Sequence, residues 1–386
     1  MAFDHLRTEL AQKASQSLLR KRTAFVAGAG RYLVSDEKRF LNFASNDYLG
    51  LAEHPKVIAA WKHGADKFGV GSGGSYLITG YAKAHQSLEE KLAHYTGQQK
   101  AILFSSGFAA NSAVLHALLS KHDLLVQDKL NHASLIDSGL DSAAKMVRFK
   151  HNDVDSLNQQ LSRDASNKLV VTEGVFSMDG DQAPINDIAG TCNKHDAWLM
   201  VDDAHAFGVT GKGKGSLASV LPMAIRIYMA TFGKALGVSG AFVAGSDELV
   251  EYLLQYGRHY IYTTAMPPAQ ACAIEAALSL AFDEEAWRRD ELNRLISQFR
   301  FKAQAENIPL MDSKTAIQPV LLGSVKRTLE IGERLKRRGF WVGTIRPPTV
   351  PEGAARLRIT LSASHKPEDI DKLVAALAEE LNDVGV

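Results

Sequence analysis

Cysteine is nearly absent. Cys192 and Cys272 are the only two in 386 residues, far apart and without CxxC spacing, so neither a disulfide framework nor a thiolate metal site can be assembled. They read as small core residues. Long apolar runs are equally scarce. The most apolar stretch, Ala265 to Phe282, is broken by Pro267, Pro268, Gln270 and Glu275, so it reads as a buried helix and not as a membrane span. Met1 to Leu10 carry mixed charge at helical spacing instead of a basic start followed by an apolar block. That excludes a secretory signal and predicts a cytoplasmic protein. Charge of one sign is lacking too: 44 Lys and Arg balance 43 Asp and Glu to a net +1. Basic runs are short, Arg20-Lys21-Arg22 standing out among them, so there is no long-range attraction for nucleic acid or an anionic membrane. A small-molecule partner is expected.

What is present is an ordinary globular composition, 46% hydrophobic and 23% charged, with no internal repeat, low-complexity tract or Pro/Gly/Ser linker. The length calls for a large domain and a smaller one. Leu6 to Lys21 reads as an amphipathic helix, followed by short strands at Phe25-Val26, Tyr32 to Val34 and Phe40 to Phe43, with a turn at Ser35-Asp36-Glu37. This makes residues 1–50 an N-terminal helix and arm. Over residues 51–284, helical patterns alternate with apolar runs at Ala101 to Phe104, Leu124 to Val126, Met146 to Phe149, Leu169 to Thr172, Trp198 to Val201, Ile225 to Tyr228 and Gly240 to Ala244. Strands apolar on both faces and separated by helices predict a mostly parallel sheet covered by helices, with ligands beyond the strands' carboxyl ends. After a helical stretch from Asp283 to Glu306, strands at Ala316 to Val320 and Arg356 to Leu361 make residues 285–386 a small α/β domain.

Two nucleotide-like patterns are set aside. Gly69 to Gly74 fits GxGxxG but follows a helix-like segment, Val57 to Phe68, where a dinucleotide turn needs a strand. Gly208 to Gly215 nearly matches a P-loop, yet Gly215 stands where Ser or Thr would bind magnesium.

The chemistry concentrates elsewhere. Lys234 follows an apolar run and sits among small residues. It either snorkels its ammonium to water or forms a Schiff base with an aldehyde cofactor. Asp202 closes the buried strand from Trp198, where a carboxylate needs a partner, an arginine or the ring nitrogen of pyridoxal phosphate. Ser105 to Asn111 follows a strand and opens a helix, which makes it a phosphate cup or a plain helix cap. Thr231 can add a hydroxyl to that phosphate. His205 and Ser177 are candidates for the ring hydroxyl, and His132 can stack on the ring. Asp202, Asp203 and His205 lack a further His or Cys to complete a metal site, so no metal is expected. Cup, histidine, aspartate and lysine fall at successive strand ends of one sheet, an order that favours a cofactor site.

These residues resemble the fold type I pyridoxal-phosphate enzymes, and within them the α-oxoamine synthases, which condense an amino acid with an acyl thioester and release carbon dioxide. The stretches that carry the resemblance are Asn42 to Gly50, Thr172 to Asp181, Val201 to His205 and Thr231 to Ala235. Asn46 to Leu51, Tyr262 to Ala269 and Ile345 to Pro351 are most similar to the biotin-pathway member, which joins L-alanine to a pimeloyl thioester of acyl carrier protein or coenzyme A. The resemblance implies pyridoxal 5′-phosphate on Lys234, Asp202 at the ring nitrogen, His132 stacked on the ring, Ser177 and His205 near its hydroxyl, and Gly107, Phe108 and Thr231 at the phosphate. It implies that Arg20 and Thr349 contact substrate, that Asn46 and Arg358 hold the amino-acid carboxylate, and that two copies share the site, with Ser75 and Tyr262 to Thr264 reaching the partner's cofactor. Members that differ in amino acid and acyl length share this chemistry. A catalytically silent subunit would not need Lys234. Two departures stand out: Ala206 replaces a usual glycine, and Tyr76 takes a place where smaller or basic residues are frequent.

Overall fold

The computed structural model describes residues 2–35 and 38–383, so Asp36 and Glu37 of the expected turn lie outside the described residues. Strands β1 (Tyr32–Val34) and β2 (Arg39–Phe43) come first. β3 (Lys100–Phe104), β4 (Leu124–Asp128), β5 (Lys145–Phe149), β6 (Lys168–Glu173), β7 (Trp198–Asp202), β8 (Ile227–Thr231) and β9 (Ala241–Gly245) follow. β10 (Ile317–Gly323), β11 (Phe340–Ile345) and β12 (Ala355–Thr360) complete the set. Two compact units contain them, one of Asn46–Ser177 and Asp181–Asp290, the other of Met1–Ser45, Met178–Gly180 and Glu291–Val386.

The larger unit holds a seven-stranded sheet in the order β3-β9-β8-β7-β6-β4-β5. β9 runs antiparallel to both its neighbours, and the other pairings are parallel. β4 and β9 are buried at every residue, and β6, β7 and β8 at all but one. That is the pattern of strands covered on both faces. The chain turns outward from β4 to β5 and the other way from β6 to β7, which opens a crevice at the strands' carboxyl ends. β8 runs from Ile227 to Thr231, starting later than its apolar run predicts, and Arg226 N–H bonds Leu199 O just before it. Helix Pro268–Ser279 packs on helices Pro55–Phe68 and Lys83–Thr96. Gly64 allows that approach, since a Cβ there would lie 2.7 Å from Ala269 Cα. Among the described residues no helix is long and apolar enough to cross a membrane.

The smaller unit's sheet has the order β1-β2-β11-β12-β10. β2 pairs in parallel with β11, so residues 1–45 group with 291–386, whereas the sequence division keeps 1–50 as a separate arm. The first helix is His5–Ser15 and stops short of the expected Lys21. It buries no side chain, and a helix without tertiary packing extends only as far as local propensity carries it. Ser17 ends it in the left-handed region (φ 58°) while Leu18 N–H bonds Lys13 O. Phe25-Val26 forms no strand, and the pairing there is a single bridge from Ala27 to Val34.

His365 fastens the smaller unit. Its Nδ1 accepts from Ser362 N–H (3.1 Å), its Nε2–H donates to Asn42 O (3.0 Å), and its ring stacks on Phe43 at 4.2 Å. Burial pushes its pKa down to about 4. Between that value and its ordinary value of 6.5 the unfolded chain binds the extra proton, so stability is complete above pH 6.5 and is lost as pH falls through 4. We expect a loss of about 3 kcal/mol from this group. Urea unfolding from pH 7 to pH 4 should show that acid limb in the wild type and a flatter one in His365→Gln.

Candidate active site

Every parallel strand near the crevice ends in a chemically useful group. After β3, Ser106 Oγ accepts from Ala109 N–H (3.1 Å) and caps helix Gly107–Leu118. The serine is therefore a cap, and the Gly107 and Phe108 amides are left at the helix start without an intrahelical acceptor. The chain comes close to β8 here, since a Cβ on Gly107 would sit 2.8 Å from Thr231 Cγ2. Thr231 Oγ1 is buried with no hydrogen-bond partner among the described residues. Gly107, Phe108, His132, Asp202, His205, Thr231 and Lys234 line one cleft, together with Asn111, Ser134 and Glu173.

Asp202 is 5% exposed, and both its oxygens are engaged: Oδ2 accepts from Asn111 Nδ2 (2.9 Å) and Oδ1 from Ala204 N–H (3.0 Å). The arginine expected as one alternative partner takes no part in these bonds; the Asn111 amide stands there. The same Asn111 Nδ2 donates to Ser134 Oγ at 2.9 Å. Since Ser134 accepts there, its own hydrogen is directed to His132 Nδ1, 2.9 Å away, and Ser134 N–H points to the same atom at 3.2 Å. His132 thus caps helix Ala133–Asp141 with Nδ1 as acceptor, which places the neutral ring's proton on Nε2.

Glu173, at the end of β6, accepts from His132 N–H at 2.5 Å. Burial, and then the charge of Asp202, pushes its carboxyl well above the ordinary value, and Lys234 acts weakly in the opposite direction. His205 Nδ1 lies 2.6 Å from Tyr48 OH, which donates to Asn46 Oδ1 at 3.2 Å. Asp203 points into the core. It accepts from Ser216 N–H (2.7 Å), Ser216 Oγ (2.6 Å) and Tyr228 OH (2.8 Å), and burial lifts its pKa to about 6 despite those bonds. It holds the chain behind the cleft, so of the two adjacent acids Asp202 alone lines it. Among the described residues no cluster of three His, Cys, Asp or Glu could hold a metal.

Ser177 does not line the cleft. Arg20, Thr349 and Arg358 belong to the smaller unit, where Arg20 donates to Thr349 Oγ1 at 3.0 Å and Arg358 lies buried on β12. Tyr76 stacks on Tyr260 at 4.8 Å, and its hydroxyl accepts from Met266 N–H. Ala206 is buried, its N–H bonded to Asp203 O. Sequence reasoning missed Asn111, Ser134, Glu173 and Tyr48. Asn111, Glu173 and Tyr48 lie inside stretches that were read and Ser134 two residues after His132, but none was given a role; a buried polar residue beside a strand end is the signal that could have found them.

A family model for aminotransferase class I and II matches residues 38–377. The chain belongs to the class I and II aminotransferase family. Two relatives are the 8-amino-7-oxononanoate synthases of Saccharophagus degradans, 51% identical over 98% of this chain and 97% of theirs, and Alcanivorax borkumensis, 52% identical over 98% of each. A solved serine palmitoyltransferase from S. paucimobilis is 30% identical, with a TM-score of 0.93 over 99% of this chain and 98% of that one. That protein carries a pyridoxal phosphate adduct of myriocin. This class I and II aminotransferase chain has the fold of the fold type I pyridoxal-phosphate enzymes, whose cofactor is pyridoxal 5′-phosphate, and is an enzyme of the acyltransferase type.

Proposed function

We propose that the chain condenses L-alanine with a pimeloyl thioester of acyl carrier protein or coenzyme A, in biotin synthesis. The products are 8-amino-7-oxononanoate, carbon dioxide and the free thiol. The observation that carries this reading is the cleft itself, with Lys234, Asp202 and His132 together in a chain half-identical to two synthases of that name. The cleft also suits the cofactor at its phosphate end, where Thr231, whose buried hydroxyl has no hydrogen-bond partner among the described residues, lies close to a helix start built on glycine.

Bound pyridoxal phosphate supplies an aldehyde carbon and a ring that accepts negative charge from the amino-acid α-carbon. Gly107 and Phe108 N–H and the Thr231 hydroxyl would hold its phosphate, and the Asp202 carboxylate would hold a proton on its ring nitrogen. Asn111 and Ala204 keep that carboxylate oriented. His132, fixed by Ser134, would stack on the ring, with His205 at its hydroxyl; Ser177, outside the cleft lining, is assigned to that hydroxyl by the resemblance alone. Lys234, once its amine is free, removes the alanine α-proton and later returns a proton to the product. Arg358 and Asn46 are assigned to the alanine carboxylate, for which a guanidinium offers two parallel donors. Arg20 and Thr349 are assigned to the acyl substrate. The enzyme acts in the cytoplasm as a homodimer, and sedimentation of an active monomer would refute the dimer.

The test is a product assay of the purified protein with pyridoxal phosphate, crossing alanine, glycine and serine with acetyl, pimeloyl and long-chain thioesters. We expect turnover with alanine and pimeloyl donors to exceed the other pairs by at least about 100-fold, the discrimination that one or two misfit groups produce. Turnover of serine with a long-chain donor alone would move the assignment to another α-oxoamine synthase.

A further inference from the structure

His151 lies outside the cleft lining and takes no part in the chemistry above, yet its ring is held from both sides. Nδ1 is 2.9 Å from Asp128 Oδ1 and Nε2 is 2.7 Å from Asp181 Oδ2. Both ring nitrogens donate to a carboxylate only when the ring is an imidazolium. Its face or edge also meets Phe176, with centroids 4.4 Å apart at 87°. The charged groups that face it are Asp128, from the end of β4, and Asp181.

Each carboxylate organises a loop of the site. Asp128 Oδ1 also accepts from Leu130 N–H (2.8 Å), and Asn131 N–H bonds Asp128 O, which shapes the turn that delivers His132. Asp128 Oδ2 accepts from Asn152 N–H at 2.9 Å. Asp181 closes the hairpin after β6: Phe176 N–H bonds its carbonyl at 3.0 Å, Val175 bridges Gln182, and Asn152 Nδ2 donates to Asp181 Oδ2. Ser177 sits in that hairpin. Three strand ends, β4, β5 and β6, therefore meet on one cation.

We propose that His151 is a positioning residue for the cofactor site, whose imidazolium ties the turn that presents His132 to the hairpin that carries Ser177. The inference rests on reading the cleft as the pyridoxal phosphate site. Burial alone would lower the His151 pKa, but the hydrogen bonds and charges of Asp128 and Asp181 outweigh it and push it up to about 10. With the folded value raised, the ring keeps its charge until pH nears 10, while the stability it contributes is complete below the ordinary value of 6.5 and is lost as pH rises through 10. The charged tie is therefore present at pH values well below 10.

The test titrates cofactor-free full-length protein with pyridoxal phosphate, following absorbance, for the wild type, His151→Gln, Asp181→Asn and the double variant. Losing a charged hydrogen bond that orders the site should weaken binding about tenfold in each single variant. The double variant should be less than additive, because both remove one tie. Leu92→Ala, in the buried face of helix Lys83–Thr96, serves as a control with lowered melting temperature and unchanged affinity. Melting between pH 7 and pH 11 should also lose in His151→Gln the alkaline limb seen in the wild type. Wild-type affinity in both single variants would overturn the proposal, as would an equal loss in the Leu92 control at matched melting temperature. Should His151→Gln not fold, Asp181→Asn decides. A wild type that fails to bind the cofactor would instead remove the reading of the cleft, and the proposal with it.

Discussion

Replacing Lys234 by alanine is expected to lower turnover by at least about 10⁴-fold while leaving the fold intact, since the substitution removes both a covalent anchor and a general base. The backbone around it does not depend on the side chain. Phe232 N–H bonds Gly240 O, Val238 N–H bonds Phe232 O and Gly237 N–H bonds Lys234 O, each at 2.9 Å. Gly237 adopts φ 66° where a Cβ would fall 2.4 Å from Ala52 N. The turn that presents the lysine is thus pinned by main chain against main chain. Truncation at Cβ removes a half-buried side chain and leaves those bonds in place. The measurement is borohydride reduction of the protein with bound cofactor, followed by peptide mass. Wild-type protein should carry the reduced cofactor on the Lys234 peptide and the variant should not. Normal product formation by the variant would sink the assignment.

How much of this could be read from residue order depends on where the specifying forces lie. β4 and β7 were legible because burial on both faces leaves unbroken apolar runs, Leu124 to Val126 and Leu199 to Val201. β11 was not. Its burial is mixed, only Phe340 being buried, and it follows Gly339 in the left-handed region, so no period of two announces it. The lysine, the strand-end aspartate and the glycine-led helix start stand at strand ends, and the strands were visible. Asn111 and Ser134 became significant only through a contact across 91 and 23 residues of sequence. A single chain of letters does not reveal such a contact. The serine before Gly107 was ambiguous between phosphate ligand and cap for a related reason: one hydroxyl at a helix start suits both tasks, and only the 3.1 Å bond to Ala109 N–H assigns it.

The second large effect is expected at Asp202. Asp202→Asn keeps the shape but changes what two neighbouring donors meet. Asn111 Nδ2 and Ala204 N–H approach different oxygens of the carboxylate, and an amide has one oxygen to offer them. One donor would then face an NH2 group in a nearly closed site, at a cost of about 1–3 kcal/mol in stability. The chemical cost is larger. Without the anion, the proton on the cofactor's ring nitrogen loses its partner and the ring loses much of its capacity to take up charge, so kcat should fall about 10³-fold, the scale found when one preorganised electrostatic partner is removed. Glu173 supplies an independent readout. Burial is the first cause that raises the pKa of its carboxyl and the Asp202 charge is the second, so neutralising Asp202 should bring the Glu173 pKa down. Infrared difference spectra across a pH titration would follow that carboxyl directly. An unchanged Glu173 titration would show that the two acids do not share one field, and an unchanged kcat would remove Asp202 from the ring nitrogen.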